Sequence, residues 1–225
     1  MFRLCLMFMS LLIASNALAQ TPPSAAQIQQ YQGLQKAVHE NNVGEIERLT
    51  KTGVDLNMRD GNGRTPVHIA AFASNDEALK VLAKAGADMN ALENGVYDVV
   101  TISAVKNDPE MVSLAIELGN RADLTTSVYD GTALIAAAHL GHHEVVRRLI
   151  KGGAPLDHVN NLGWTALIEA VVLGDGGPDH IATVKALVDA GAKTSIADRA
   201  GVTPLAHAEK RGYTEIAAII RKGSP

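Results

Sequence analysis

Short apolar stretches with helical spacing alternate along this chain with glycine-marked turns and polar, extended segments, and the alternation recurs. Aligning residues 64–71, 131–138, 164–171 and 202–209 brings Thr65, Thr132, Thr165 and Thr203 into one register. The threonines stand 67, 33 and 38 residues apart. Those intervals are two units of 33 plus one residue, one unit, and one unit plus five, so a hidden unit lies between Thr65 and Thr132, where residues 93–128 fill the gap. The second halves of the units agree. Each apolar stretch there ends in Gly-Ala, at Gly86-Ala87, Gly153-Ala154 and Gly191-Ala192. Glycine just past a last helical turn adopts a positive φ without steric cost and stops the helix. Each unit therefore reads as a short helix, a turn, a longer helix and an extended finger leading to the next threonine.

Residues 60–92 carry Asp60, Gly63, Thr65, Pro66, His68, Ala70, Ala71, Leu82, Gly86, Ala87, Asp88 and Asn90 in order. In this the chain resembles the ankyrin repeat family, whose motif runs Asp-x-x-Gly-x-Thr-Pro-Leu-His-x-Ala-Ala, then Gly-His, then Val-x-x-Leu-Leu-x-x-Gly-Ala-Asp. The resemblance implies an all-α fold, an ankyrin-repeat solenoid of about six helix-turn-helix units with extended finger loops. The units run 31–59, 60–92, 93–126, 127–159, 160–197 and 198–222, making 31–222 the repeat domain. The first lacks the Thr-Pro start and the last carries Glu209, Lys210, Arg211, Arg221 and Lys222, as expected of capping units that meet water. Two units depart from the motif. Residues 93–126 have Tyr97-Asp98-Val99-Val100 at the Thr-Pro-Leu-His position, which predicts an irregular finger, and residues 160–197 contain five extra residues, 174–178, in the turn between helices.

Ahead of the repeats, Arg3 precedes an apolar run from Leu4 to Ala14 and a small-residue segment ending Ala17-Leu18-Ala19. This reads as a secretory signal peptide, residues 1–19, cleaved after Ala19; its apolar core is too short to span a bilayer. Cys5, the only cysteine, lies before that core, where lipidation at the cleavage site is not served. Cleavage removes one arginine and shifts the formal charge from −4 to −5. The exported chain then has no thiol for catalysis or zinc binding and stands on packing alone. Residues 20–30, polar with Pro22-Pro23, read as a linker. The expected address is the periplasm, as a monomer with no membrane attachment after cleavage. Mild acidity gives no electrostatic footprint for nucleic acid.

His139, His142, His143 and His158 are the only dense histidine group. His142 and His180 fall on the family's Gly-His position and His68 on its Thr-Pro-Leu-His position, and the resemblance assigns these to hydrogen bonding between turns and helices. His139 ends one helix and His143 begins the next, so they do not share a helical face with zinc-ligand spacing. No serine or threonine shows a partnered histidine and acid, the glycine-rich 174–178 segment lacks the Lys and hydroxyl of a phosphate loop, and it lacks the spaced oxygens of a calcium loop. No catalytic residue, metal or cofactor is assigned.

What remains is recognition of a protein partner. In ankyrin-like stacks the fingers and the exposed end of each first helix line a concave groove. That register singles out Arg59, Asn62, Arg64, Phe72, Leu92, Val96, Tyr129, His139, Leu140, Asn161, Leu162, Trp164, Leu173, Arg199, Lys210 and Arg211. Phe72 and Trp164 are the only Phe and Trp outside residues 1–19, and they are candidate anchors. The expected function is non-enzymatic protein binding outside the cytoplasm, as a scaffold for an envelope stress-defence enzyme. The alternatives are an inhibitor or immunity protein occluding a toxin or enzyme, and, of another class, a hydrolase or metal-dependent enzyme using His139, His142 and His143. Residues 93–126 and 174–178 are expected to be the least stable parts of the stack.

Overall fold

The computed structural model describes residues 21–223, so the segment read as a signal peptide lies outside the described residues. Among them the fold is all-α. Thirteen helices are accompanied by a single isolated antiparallel bridge, Thr125 to Thr132. After α1 (Ala25–Gln30) come six helix pairs, one in each unit. They are α2 (Gly33–His39) with α3 (Val43–Thr50), α4 (Pro66–Ala73) with α5 (Asp76–Lys84), and α6 (Val99–Val105) with α7 (Pro109–Glu117). The second half of the stack holds α8 (Ala133–Leu140) with α9 (His143–Lys151), α10 (Ala166–Val172) with α11 (Pro178–Asp189), and α12 (Pro204–Arg211) with α13 (Thr214–Lys222).

First helices pack on first helices and second helices on second, from one end of the stack to the other, giving two layers. The composition of each layer explains this arrangement. In α4 every residue from Pro66 to Ala71 is buried, whereas α9 buries Val145, Val146 and Leu149 and exposes Arg147 and Arg148. A helix apolar all round belongs between layers, and one with a single apolar stripe belongs outside. The small inner-helix residues Ala70, Ala71, Ala137, Ala138 and Ala170 are wholly buried, and side chains of that size allow inner helices to pack closely.

The register threonines act as N-caps. Thr132, Thr165 and Thr203 accept hydrogen bonds from the backbone N–H of Ile135, Ile168 and Ala206. Thr65 works through His68: the Thr65 N–H donates to Nδ1 at 3.1 Å, and Nε2 donates to the Tyr97 carbonyl at 3.1 Å. In residues 93–126 the cap is Asp98, which accepts from the Thr101 N–H, so Asp98 and not Tyr97 holds the threonine position, a one-residue correction to the sequence register. Ten residues after each of these caps, or fifteen where the five extra residues intervene, a turn side chain bonds to the preceding unit. Asn75 donates to the carbonyls of Val38 and His39, Asp108 accepts from Ser74, and His142 donates to Ala104. His180 donates to the His139 carbonyl and Tyr213 to that of Gly174.

Three expectations need correction. The segment read as a linker carries a helix, α1, because Ser24 and Gln27 form a capping box, each bonding the other's backbone N–H. The 174–178 segment is partly helical: Pro178 is the first residue of α11, so only 174–177 remain as turn. That turn is tied down, since Gly174 is buried with its carbonyl bonded by Tyr213, and Asp175 accepts from Gly177 N–H and His180. In residues 93–126 the finger keeps the hairpin bond, Glu93 N–H to Tyr97 carbonyl, but Val96 sits at φ 62° where Gly63, Gly163 and Gly201 stand in other units.

Candidate protein-binding face

Asp60 accepts from the N–H groups of Asn62 and Arg64, Asn160 from Leu162 and Trp164, and Asp198 from Ala200 and Val202. Each of these finger tips is a small hairpin built by one polar side chain, the Ser127 hydroxyl likewise accepting from the N–H groups of Tyr129 and Gly131 in the fourth unit. Neighbouring tips are joined in turn: Asn94 N–H donates to the Asn62 carbonyl and Asn161 N–H to that of Tyr129. A finger and an inner helix are joined where the Arg64 guanidinium at the base of the second unit's finger lies 5.5 Å above the Phe72 ring on α4.

The finger of the second unit is bonded by the N-terminal segment of the chain itself. Arg64, expected at the surface, is only 1% exposed. Its guanidinium donates to the Thr21 carbonyl at 2.8 Å and lies 3.4 Å from Asp60, while Gln27 of α1 donates to Asn62. Tyr31 adds a hydrogen bond to Asp60, and Phe72 packs beneath as part of the core margin. Asn62 and Arg64 are therefore contacts of the N-terminal segment, which corrects their assignment to an open groove, while Phe72 is half-buried beneath the Arg64 guanidinium. Arg59 is exposed but committed, donating to the carbonyls of Gly63 and Leu92. Leu92 and Val96 are half-buried.

The remaining candidates cluster at the other end. Tyr129, Leu140, Leu162 and Leu173 are all about two-fifths exposed, and Val128 and Val159, which the sequence register passed over, are more so. These six are all the exposed large hydrophobic residues among the described residues, and each lies in a finger or at the end of α8 or α10. Such a grouping is informative where scattered apolar residues are not. Asn161 and Trp164 frame it; Trp164 is half-buried, and Arg199 donates to the Asn161 carbonyl. Lys210 and the neighbouring Arg211 are exposed at the end of α12, with Arg211 5.9 Å from the Tyr213 ring.

His139 stands at the centre, half-buried, with Nδ1 3.7 Å from Glu169 Oε2. Glu169 is the residue that register reasoning missed as a site component, although an acid within Ala-Leu-Ile-Glu-Ala-Val-Val is a visible anomaly. It is 4% exposed, Oε1 accepts from Asn160, and Oε2 has no hydrogen-bond partner among the described residues. Burial pushes its carboxyl up to about 7 against the opposing hydrogen bond from Asn160.

The histidine group does not converge. His142 is spent on Ala104, His139 faces Glu169, His143 lies near Glu144 and Asp179, and His158 donates to the Asp130 carbonyl. Among the described residues no three His, Cys, Asp or Glu side chains are grouped so as to hold a metal ion. A cleft of about 100 Å³ on the turn side, lined by Asn107, Gly141, His142, His143, Glu144 and Asp179, falls below the roughly 300–1,000 Å³ of ligand pockets.

Comparison with known proteins agrees with this geometry. The family description "Ankyrin repeats (many copies)" matches residues 34–82 and "Ankyrin repeats (3 copies)" matches residues 101–198. The chain is 31% identical over 186 residues to the ankyrin repeat protein YahD of Escherichia coli (strain K12), covering 82% of this chain and 92% of that one. Its fold is similar to that of an ankyrin repeat domain from Acinetobacter baumannii AYE, with TM-score 0.78, 38% identity and coverage of 84% and 96% of the two chains. EF0377, another ankyrin repeat protein of known structure, gives TM-score 0.78 at 31% identity over 85% and 98% of the chains. The ankyrin fold is a protein-binding module, and this chain belongs to the ankyrin repeat family.

Proposed function

We propose that this protein is a non-enzymatic binding module that acts outside the cytoplasm and holds a protein partner on the finger face of its last three units. The observation that carries the reading is that, among the described residues, the exposed large hydrophobics all fall within residues 128–173 of that face. Rigid apolar and aromatic side chains presented together are what a partner's pockets take up at small entropic cost. Export rests on the sequence of residues 1–19, and N-terminal sequencing of the purified protein is expected to start at Gln20.

Capture from a periplasmic fraction tests the reading, with the wild-type protein set beside a Leu140→Asp/Leu173→Asp variant. A partner retained by the first and lost by the second supports it; a partner held equally by both refutes the placement. Two roles suit such a partner, support of an envelope enzyme and occlusion of one. The partner's own activity at saturating protein separates them: support leaves it intact or longer lived, and occlusion abolishes it.

A further inference from the structure

The open half of the finger face has a chemical polarity of its own. Its apolar centre, Tyr129, Leu140 and Leu173, gives way in the last unit to three cations, Arg199, Lys210 and Arg211, none of which forms an ion pair among the described residues. Nearby carboxylates are occupied or out of reach. Asp198 is engaged by its own finger and by His207 at 2.8 Å, Glu209 pairs with Arg221, and Glu169 is buried behind His139. Two acids are exposed beside this surface: Asp175, two residues from Leu173, which pairs with His180, and Asp130, at the finger tip of the fourth unit. The cationic end therefore runs against the chain's overall charge of −4.

We propose that this half of the face receives an acidic segment of a partner protein, with apolar side chains on Tyr129, Leu140 and Leu173 and carboxylates on Arg199, Lys210 and Arg211. This rests on the protein-binding reading above and adds the partner's chemistry to it. Complementary charge fixes the direction in which the segment lies, acidic end toward α12, and excludes basic competitors. A nucleic acid fits less well, because half the surface is apolar and the chain as a whole repels a polyanion.

Selection of random 16-residue peptides displayed on phage, with the purified protein as bait, tests this. Winners are measured against two variants that melt as the wild type does, Arg199→Glu/Lys210→Glu/Arg211→Glu and Leu140→Ala/Leu173→Ala. The expected result is enrichment of Asp and Glu beside Leu or Phe, with about a tenfold or greater loss of affinity in the charge-reversed variant. Basic or neutral winners that need Leu140 and Leu173 but ignore the charge reversal overturn the acidic-segment inference and leave the protein-binding reading standing. Winners indifferent to both variants, or no winners, overturn both. Tighter binding of a 20-nucleotide single-stranded DNA than of any winner, lost on charge reversal, also overturns the inference.

Discussion

Glu169 lies in α10 between Ile168 and Ala170, both wholly buried, with only Asn160 to satisfy it. Its carboxyl titrates at about 7 in the fold against an ordinary value of 4.5, so folding favours the protonated acid. The stability it contributes is complete below about pH 4.5 and is lost as pH rises through 7, up to ~3 kcal/mol by linkage. Glu169→Gln keeps the Asn160 bond and removes the charge. Urea melts are expected to show the variant about 2–3 kcal/mol more stable at pH 8 and level with wild type at pH 4.5. His68 behaves in the opposite sense. Burial holds its imidazole down to about 4 from 6.5, so its contribution is present above pH 6.5 and is lost as pH falls through 4, again by ~3 kcal/mol. A His68→Asn variant should melt lower at pH 7 and show a flatter decline between pH 6.5 and 4. Val96 holds φ 62° with a β-branched side chain, a conformation that costs on the order of 1–2 kcal/mol. Val96→Gly restores the residue found at that place in three other fingers and is expected to stabilise the chain by about 1 kcal/mol.

At the scale of elements, α1 was the part least visible in sequence. Its six residues carry no buried side chain, so no apolar period announces it, and Pro22-Pro23 ahead of it point to irregular chain. The capping pair Ser24 and Gln27 was the available signal. Its docking through Arg64 could not be read from the repeat register, which sends the residue before the register threonine to the open face; the buried state depends on Thr21 and Gln27, more than thirty residues away. Arg64→Ala should release residues 21–30, seen as rapid proteolysis there while the helix pairs stay protected. The 174–177 turn shows a related gap. Its glycines suggest slack, yet Gly176 closes against the Tyr213 ring, where a Cβ would come within 2.6 Å of ring carbons. Amide exchange at 174–177 is accordingly expected to be slow in the wild type and to accelerate in Tyr213→Phe, which frees the Gly174 carbonyl.

For the whole molecule, the repeat register was legible because every unit must present the same apolar faces to its neighbours, and Thr65, Thr132, Thr165 and Thr203 do cap inner helices at that spacing. Tyr129, Leu140, Leu162 and Leu173 were legible for the same reason, since register alone decides that they face outward. What register cannot encode is which finger the chain bonds with its own N-terminal segment, here that of the second unit. The central claim is that a partner occupies the finger face of the last three units. Amide hydrogen exchange of the protein alone and with its captured partner tests it most directly. Protection gained in fingers 127–131, 160–164 and 198–202 and at the ends of α8, α10 and α12, with 59–64 unchanged beneath α1, is the expected result. Protection gained instead on the outer helices α5, α7 and α9, or at 59–64, would contradict the account.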